Sequence, residues 1–189
     1  LFSRSQGLYQ RSVGLVGLGS VGKEMIPRAK AFGMRVLGWS RSLTPDRASQ
    51  YGIRQAPTPI ALAKASDIVS IHIALTQKTQ NFIDDDFLQA MRPGSILINT
   101  SRSGVIDEEA LVHAVQFHGI RAGLDVFDGQ PEGEVGTIEK KMFNIEGIIG
   151  THHIGGSTNQ AQQAVAQETV RMIREYAKTR PPHKPGFIR

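Results

Sequence analysis

At 189 residues, 40% hydrophobic and without a cysteine, the chain is long enough for one domain with a sizeable core rather than two, and it has no disulfide framework, thiolate nucleophile or cysteine metal site. No apolar run approaches the ~20 residues that span a bilayer, and Leu1 to Arg11 is mixed and polar rather than a secretory signal, so no membrane partner is expected and a cytoplasmic location fits. Much of the net charge of +5 sits at the ends (Arg4, Arg11, Lys178, Arg180, Lys184, Arg189), and 6% scattered aromatics offer no basic stacking face, so no nucleic acid is expected; an anionic cofactor accommodates the charge.

In chain order, residues 1–11 read as a leader or linker, 12–179 as one domain and 180–189 as an extended tail, since Pro181, Pro182 and Pro185 forbid a helix there. Val13 to Val16 is a short apolar strand. It runs into a G-x-G-x-x-G triplet at Gly17, Gly19 and Gly22, and Lys23 to Phe32 reads as the helix that follows. A strand turning tightly into a helix is the context in which this triplet binds a nucleotide. Gly17 allows the turn, Gly19 lets a pyrophosphate approach, and Gly22 lets helix and strand pack closely. The N–H groups of Ser20, Val21 and Gly22 then face the phosphates at the positive end of the helix.

Further strands are predicted at Arg35 to Trp39, Asp67 to His72, Ser95 to Asn99, Arg121 to Val126 and Ile148-Ile149. Helices are predicted at Thr44 to Tyr51, with Thr44 as N-cap and Pro45 first, at Pro59 to Ala65, at Asp85 to Met91 and from Asp107 to about Phe117, ended by Gly119. The last and longest is Asn159 to Thr179, with an apolar stripe of Ala161, Val165, Val170, Met172, Ile173 and Tyr176. Gln130 to Lys140 is a polar loop. Strands alternating with helices predict an α/β fold, a Rossmann-like doubly wound parallel sheet in three layers. Gly17, Ser40, Ala74, Thr100, Asp125 and His153 then all follow strands, at the sheet edge where such folds bind ligands.

The second strand bears on the cofactor. Where an acid would bond the ribose 2′-hydroxyl of NAD(H), the chain has Ser40-Arg41-Ser42. An acid repels a 2′-phosphate; Arg and Ser receive one. NADP(H), or no preference, is therefore expected over strict NAD(H), although Arg41 stacked on adenine would favour neither.

The chain resembles the nucleotide-binding domain of the D-isomer-specific 2-hydroxyacid dehydrogenases, which include phosphoglycerate dehydrogenase and the glyoxylate/hydroxypyruvate reductases. The resemblance rests on Gly17 to Gly22, Ser66 to His72, Met91 to Asp107, Gly123 to Phe127 and His153 to Thr158, in the family's order along nearly the whole chain. It implies an oxidoreductase that interconverts a D-2-hydroxy acid and its 2-oxo acid, a small-molecule substrate, and a homodimer formed through this domain. It also implies roles. Arg102 matches the substrate arginine, His153 the histidine that gives and takes the carbonyl proton, and Asp125 the residue that meets the nicotinamide carboxamide. Thr100, Ser101, Arg102, His153, Gly155 and Gly156 lie beside the cofactor by the same match.

Three departures qualify the likeness. The acid that pairs with the histidine in the family precedes a proline, but here Gln130 precedes Pro131, and a neutral amide orients an imidazole without stabilising imidazolium by charge. Asp128 or Glu132 would substitute only in a displaced loop. His152 replaces a usual proline and is read as a loop residue; His72, His113 and His118 are likewise assigned no role. The family's substrate domain is absent, which predicts that the chain alone is inactive. It also leaves room for a second reading, a dinucleotide-sensing interaction domain like that of the C-terminal-binding-protein corepressors.

Overall fold

The structure is a computed structural model that describes residues 7–129 and 141–179. It divides into two compact units, one ending at His152 and one beginning at His153. The division falls inside the 12–179 segment. The predicted loop 130–140 and tail 180–189 lie outside the described residues.

The first unit holds a sheet of seven strands: β1 (Ser12–Val16), β2 (Arg35–Trp39), β3 (Arg54–Gln55), β4 (Ile68–Ile71), β5 (Ile96–Asn99), β6 (Arg121–Leu124) and β7 (Ile148–Gly150). They pair in the order β3-β2-β1-β4-β5-β6-β7, every pair parallel. Among the described residues of this unit five α-helices serve as crossovers: α1 (Ser20–Ala31), α2 (Pro45–Gln50), α3 (Pro59–Ala65), α4 (Asp85–Ala90) and α5 (Glu108–His113).

Alternation along the strands makes the three layers. Val13 and Leu15 of β1 join Val36, Ile26 and Ala29 in one core, on the face covered by α1. Val16 points the other way, into a larger core with Leu62 and Ala63 of α3, Phe87 and Leu88 of α4 and Leu111 of α5. Both faces are covered, which is why the strands read as nearly continuous apolar runs.

Thr44, Asp107 and Gly119 end their helices as predicted, and Thr58 and Asp84 act as further caps. Thr44 and Thr58 accept bonds from the N–H groups of Arg47 (3.3 Å) and Ala61 (3.0 Å), each with a proline in the first turn that follows. Asp84 and Asp107 cap α4 and α5 through Phe87 (2.9 Å) and Ala110 (3.0 Å). A π-helical turn, Ala114–His118, continues α5 until Gly119 ends it at a φ of +73°.

Some details differ from the predicted elements, among them a 3₁₀ turn at Lys141–Asn144 and a strand β6 that ends at Leu124 rather than Val126. The first helix starts at Ser20 rather than Lys23 and runs through Pro27, which forgoes one backbone bond. The short β3 is unforeseen, because two residues carry no alternation. A 3₁₀ turn, Ser103–Val105, follows β5.

The order of the strands positions the site. The chain winds outward from β1 through β2 to β3, then returns to the other side of β1 with β4. The loops after β1 and β4 leave the sheet in opposite directions and open a crevice at its carboxyl edge.

The second unit contains α6 (Asn159–Thr179), with the Thr158 hydroxyl accepting a bond from Ala161 N–H at 3.1 Å. Arg171 bonds Glu168 and Glu175 one turn to either side. No α6 residue is buried, and Val165, Val170, Met172, Ile173 and Tyr176 of the predicted stripe are exposed.

Candidate functional site

The turn from β1 into α1 uses its three glycines differently. Gly17 has a φ of +96°, and a Cβ there would meet the His72 carbonyl oxygen at 2.7 Å. Only glycine takes that position without strain. A Cβ on Gly22 would collide with the Gly17 carbonyl oxygen, so helix and loop touch there. Gly19 faces open space, with nothing within 4 Å of an added Cβ and an ordinary negative φ of −73°. The first backbone bond of α1 runs from Lys23 N–H to the Gly19 carbonyl at 3.0 Å. The N–H groups of Ser20, Val21 and Gly22 precede it and have no intrahelical acceptor. A cradle with free donors, an open centre and the helix's positive end fits a pyrophosphate.

Two clefts adjoin the cradle, and His72, Ile73 and Ala74 line both. The first, of about 430 Å³, reaches from Gly17 and Gly19 to Ser40, Arg41 and Ser42 after β2, and to Lys78 on the loop after β4. Trp39 and Phe82, also in its lining, stack with ring centroids 5.4 Å apart. The second, of about 600 Å³, reaches from Val21 to Thr100, Ser101 and Arg102 after β5. Among the described residues no Asp or Glu lines either cleft, whereas Arg41, Lys78 and Arg102 do. The field at this edge therefore attracts anions.

Arg102 is exposed and donates one bond, from Nη1 to the Ser101 carbonyl at 2.6 Å. Its loop is held from below by Asn99, which is wholly buried. The Asn99 side-chain oxygen accepts from Ser101 N–H (3.0 Å) and Ser101 Oγ (2.8 Å), and its amide donates to the Arg102 carbonyl (2.9 Å). Asp125, after β6, is buried and accepts a bond from Thr151 Oγ1 at 2.5 Å.

Three residues without an expected role come forward in this geometry. His72 lines both clefts, bonds Ser70 Oγ through Nε2 at 3.0 Å, and is held below its ordinary value of 6.5 by burial, so it is neutral near pH 7. Its place two residues past a strand was the available signal. Asn99 ends β5 as a polar residue after an apolar run. Lys78 offers no pattern, since it reaches the cleft only through the fold.

His153 begins the second unit. It is exposed and holds a φ of +58°, one of three non-glycine residues with positive φ among the described residues. Such conformations cluster at functional positions. Gly155 and Gly156 lie in the following turn, closed by Ser157 N–H on the Ile154 carbonyl at 3.0 Å. Gln130 lies outside the described residues. No group of three metal-ligating side chains occurs among the described residues, and none of their helices is long and apolar enough to cross a membrane.

The family described as D-isomer specific 2-hydroxyacid dehydrogenase, NAD binding domain, matches residues 2–155. A glyoxylate reductase of Thermococcus litoralis is 34% identical over 173 residues, 91% of this chain and 50% of its own length. A D-3-phosphoglycerate dehydrogenase of Bacillus subtilis is 35% identical over 175 residues, covering 92% of this chain but 32% of its own. Among solved structures, D-lactate dehydrogenase of Aquifex aeolicus, complexed with NAD and lactic acid, superimposes with a TM-score of 0.78 at 27% identity, over 94% of this chain and 58% of the other. The chain thus spans about half the length, or less, of these curated relatives.

Proposed function

This chain belongs to the D-isomer specific 2-hydroxyacid dehydrogenase family, in its NAD binding domain, and from that premise we propose that it is the cofactor-binding half of an oxidoreductase that interconverts a small D-2-hydroxy acid and its 2-oxo acid. The supporting observation is the glycine cradle, open at Gly19, closed at Gly22 and continuous with two clefts that no acid among the described residues lines.

In this proposal the N–H groups of Ser20, Val21 and Gly22 hold the pyrophosphate. The adenosine half occupies the cleft of Ser40 and Arg41, and the other half runs past Thr100 and Ser101. The nicotinamide supplies or accepts the hydride. Arg102 binds the acid's carboxylate and carbonyl through its planar fork, which fixes the reacting carbon. Its rigid mounting on Asn99 suits that task. Asp125 takes the carboxamide, His153 the proton on the carbonyl oxygen, and Gly155 and Gly156 give the adjoining backbone freedom to approach the cofactor. Gln130 orients His153 without charge. Ser40 and Arg41 favour NADP(H), or leave the choice open, because neither repels a 2′-phosphate. A homodimer and a cytoplasmic location belong to the same reading. The relatives described above carry dehydrogenase and reductase names, which favours the enzyme over a corepressor-type sensor.

The test is Gly19→Val. Its backbone accepts a side chain and nothing crowds the new Cβ, so the variant folds; the isopropyl group then occupies the pyrophosphate's place. Calorimetric titration should show dinucleotide binding by the parent chain and its loss in Gly19→Val. Equal affinity in the two would overturn the reading.

A further inference from the structure

We propose that Lys78 is a second cationic determinant of cofactor choice, acting with Arg41 on the 2′-phosphate of an adenine dinucleotide. The proposal rests on the dinucleotide reading above and deepens it. Arg41 follows β2 and Lys78 lies on the loop after β4, two strands that flank β1 on opposite sides. The fold therefore brings one cation from each wall to a single cleft over the end of β1, although 37 positions separate them in sequence.

Three features of this cleft point to a phosphate. Among the described residues neither cation has a protein acceptor and no carboxylate lines the cleft to neutralise them. Like charges facing one space repel unless an anion lies between them. The second feature is rigidity beneath Lys78. The turn from Thr76 to Thr79 is tied by Thr79 N–H to the Thr76 carbonyl (3.0 Å), Thr76 N–H to Thr79 Oγ1 (2.8 Å) and Thr79 Oγ1 to the Ala74 carbonyl (2.7 Å). The long side chain is free while its mounting is fixed. Third, the Trp39–Phe82 stack gives the same cleft an apolar wall, suited to a base whose ribose then lies between that wall and the charged rim. An adenosine carrying a 2′-phosphate satisfies all three features; one with a bare 2′-hydroxyl leaves both cations unmatched.

Dissociation constants of the purified chain for NADPH and NADH, at low and at moderate salt, decide the matter. Parent, Lys78→Gln, Lys78→Arg, Arg41→Ala and, as a control for net charge, Lys178→Gln on α6 are compared. The expected result is a preference for NADPH that shrinks with salt, falls about fivefold in Lys78→Gln, as one exposed charge pair allows, and is kept in Lys78→Arg and Lys178→Gln. Loss in Arg41→Ala and Lys78→Gln should each be partial. A ratio unchanged in Lys78→Gln, or altered equally in Lys178→Gln, overturns the proposal while dinucleotide binding itself stands. Failure of the parent chain to bind either dinucleotide overturns both readings.

Discussion

A methyl group at Gly17 would meet a carbonyl oxygen at 2.7 Å on a backbone with a φ of +96°. Gly17→Ala should therefore cost about 1–3 kcal/mol of stability, read as a lower urea midpoint, in contrast to Gly19→Val; an unchanged midpoint would show that the turn relaxes freely. Asp67 makes a second test at single-residue scale. Burial raises its carboxyl, but bonds from the Ser12 side chain and backbone, with Arg92 and Arg11 nearby, outweigh that and hold it below its ordinary value of 3.8. A carboxylate lowered by folding stabilises the fold above its unfolded value, and that contribution is lost as pH falls through the folded one. Urea midpoints taken from about pH 6 down to about pH 3 should fall, and less steeply in Asp67→Asn. Parallel slopes would remove Asp67 from the account. Gly17 and Gly22 were legible in the sequence because the local backbone demands glycine there, and Ser40-Arg41 by its place after a predicted strand. Asn99 and Lys78 were not, because their meaning lies in partners or walls that only the fold assembles.

Elements were legible where a cap and a period coincide. Thr44-Pro45 marked the start of α2, Pro59 that of α3, and Gly119 the end of the helix that begins at Glu108. Pattern failed at β3, whose two residues are held by pairing with Leu37 and Gly38 of β2; long-range pairing of so short a segment leaves no local trace. It also failed to foresee how closely α3 approaches the sheet. A Cβ on Gly14 would collide with Leu62 and with Ser66 Oγ, so glycine in β1 is what lets α3 lie against the strand. Leu62 is wholly buried there. Leu62→Ala should cost about 2–5 kcal/mol, because a cavity adds to the lost transfer energy. The dinucleotide affinity should be kept, since Leu62 lines neither cleft. An affinity that falls along with stability would show that α3 shapes the cradle.

For the whole molecule, the decisive fact is that clefts and catalytic chemistry make different demands. Binding a dinucleotide needs the cradle, the crevice between the β1 and β4 loops, and cations, all of which lie within the first unit. Hydride transfer to a 2-oxo acid needs more. The acid must be desolvated and held, in the proposed function against Arg102, which stands exposed on its loop with one bond to its own chain, and water must be excluded while the proton moves. Relatives that carry out such chemistry are two to three times as long as the stretch matched here. We therefore expect the 189-residue chain to bind NADH or NADPH yet leave the cofactor's absorbance unchanged when glyoxylate, hydroxypyruvate or phosphohydroxypyruvate is added. Oxidation at ordinary enzymatic rates, on the order of 1–1000 per second, would mean that these residues alone enclose the substrate. A protein joining this chain to a substrate-binding half should turn over, and there Arg102→Lys should lower kcat/KM by more than charge loss explains, since the charge stays and the planar two-pronged grip goes. Equal kcat/KM for Arg and Lys at 102 would remove the bidentate role, and with it the assignment of Arg102 as the residue that orients the acid.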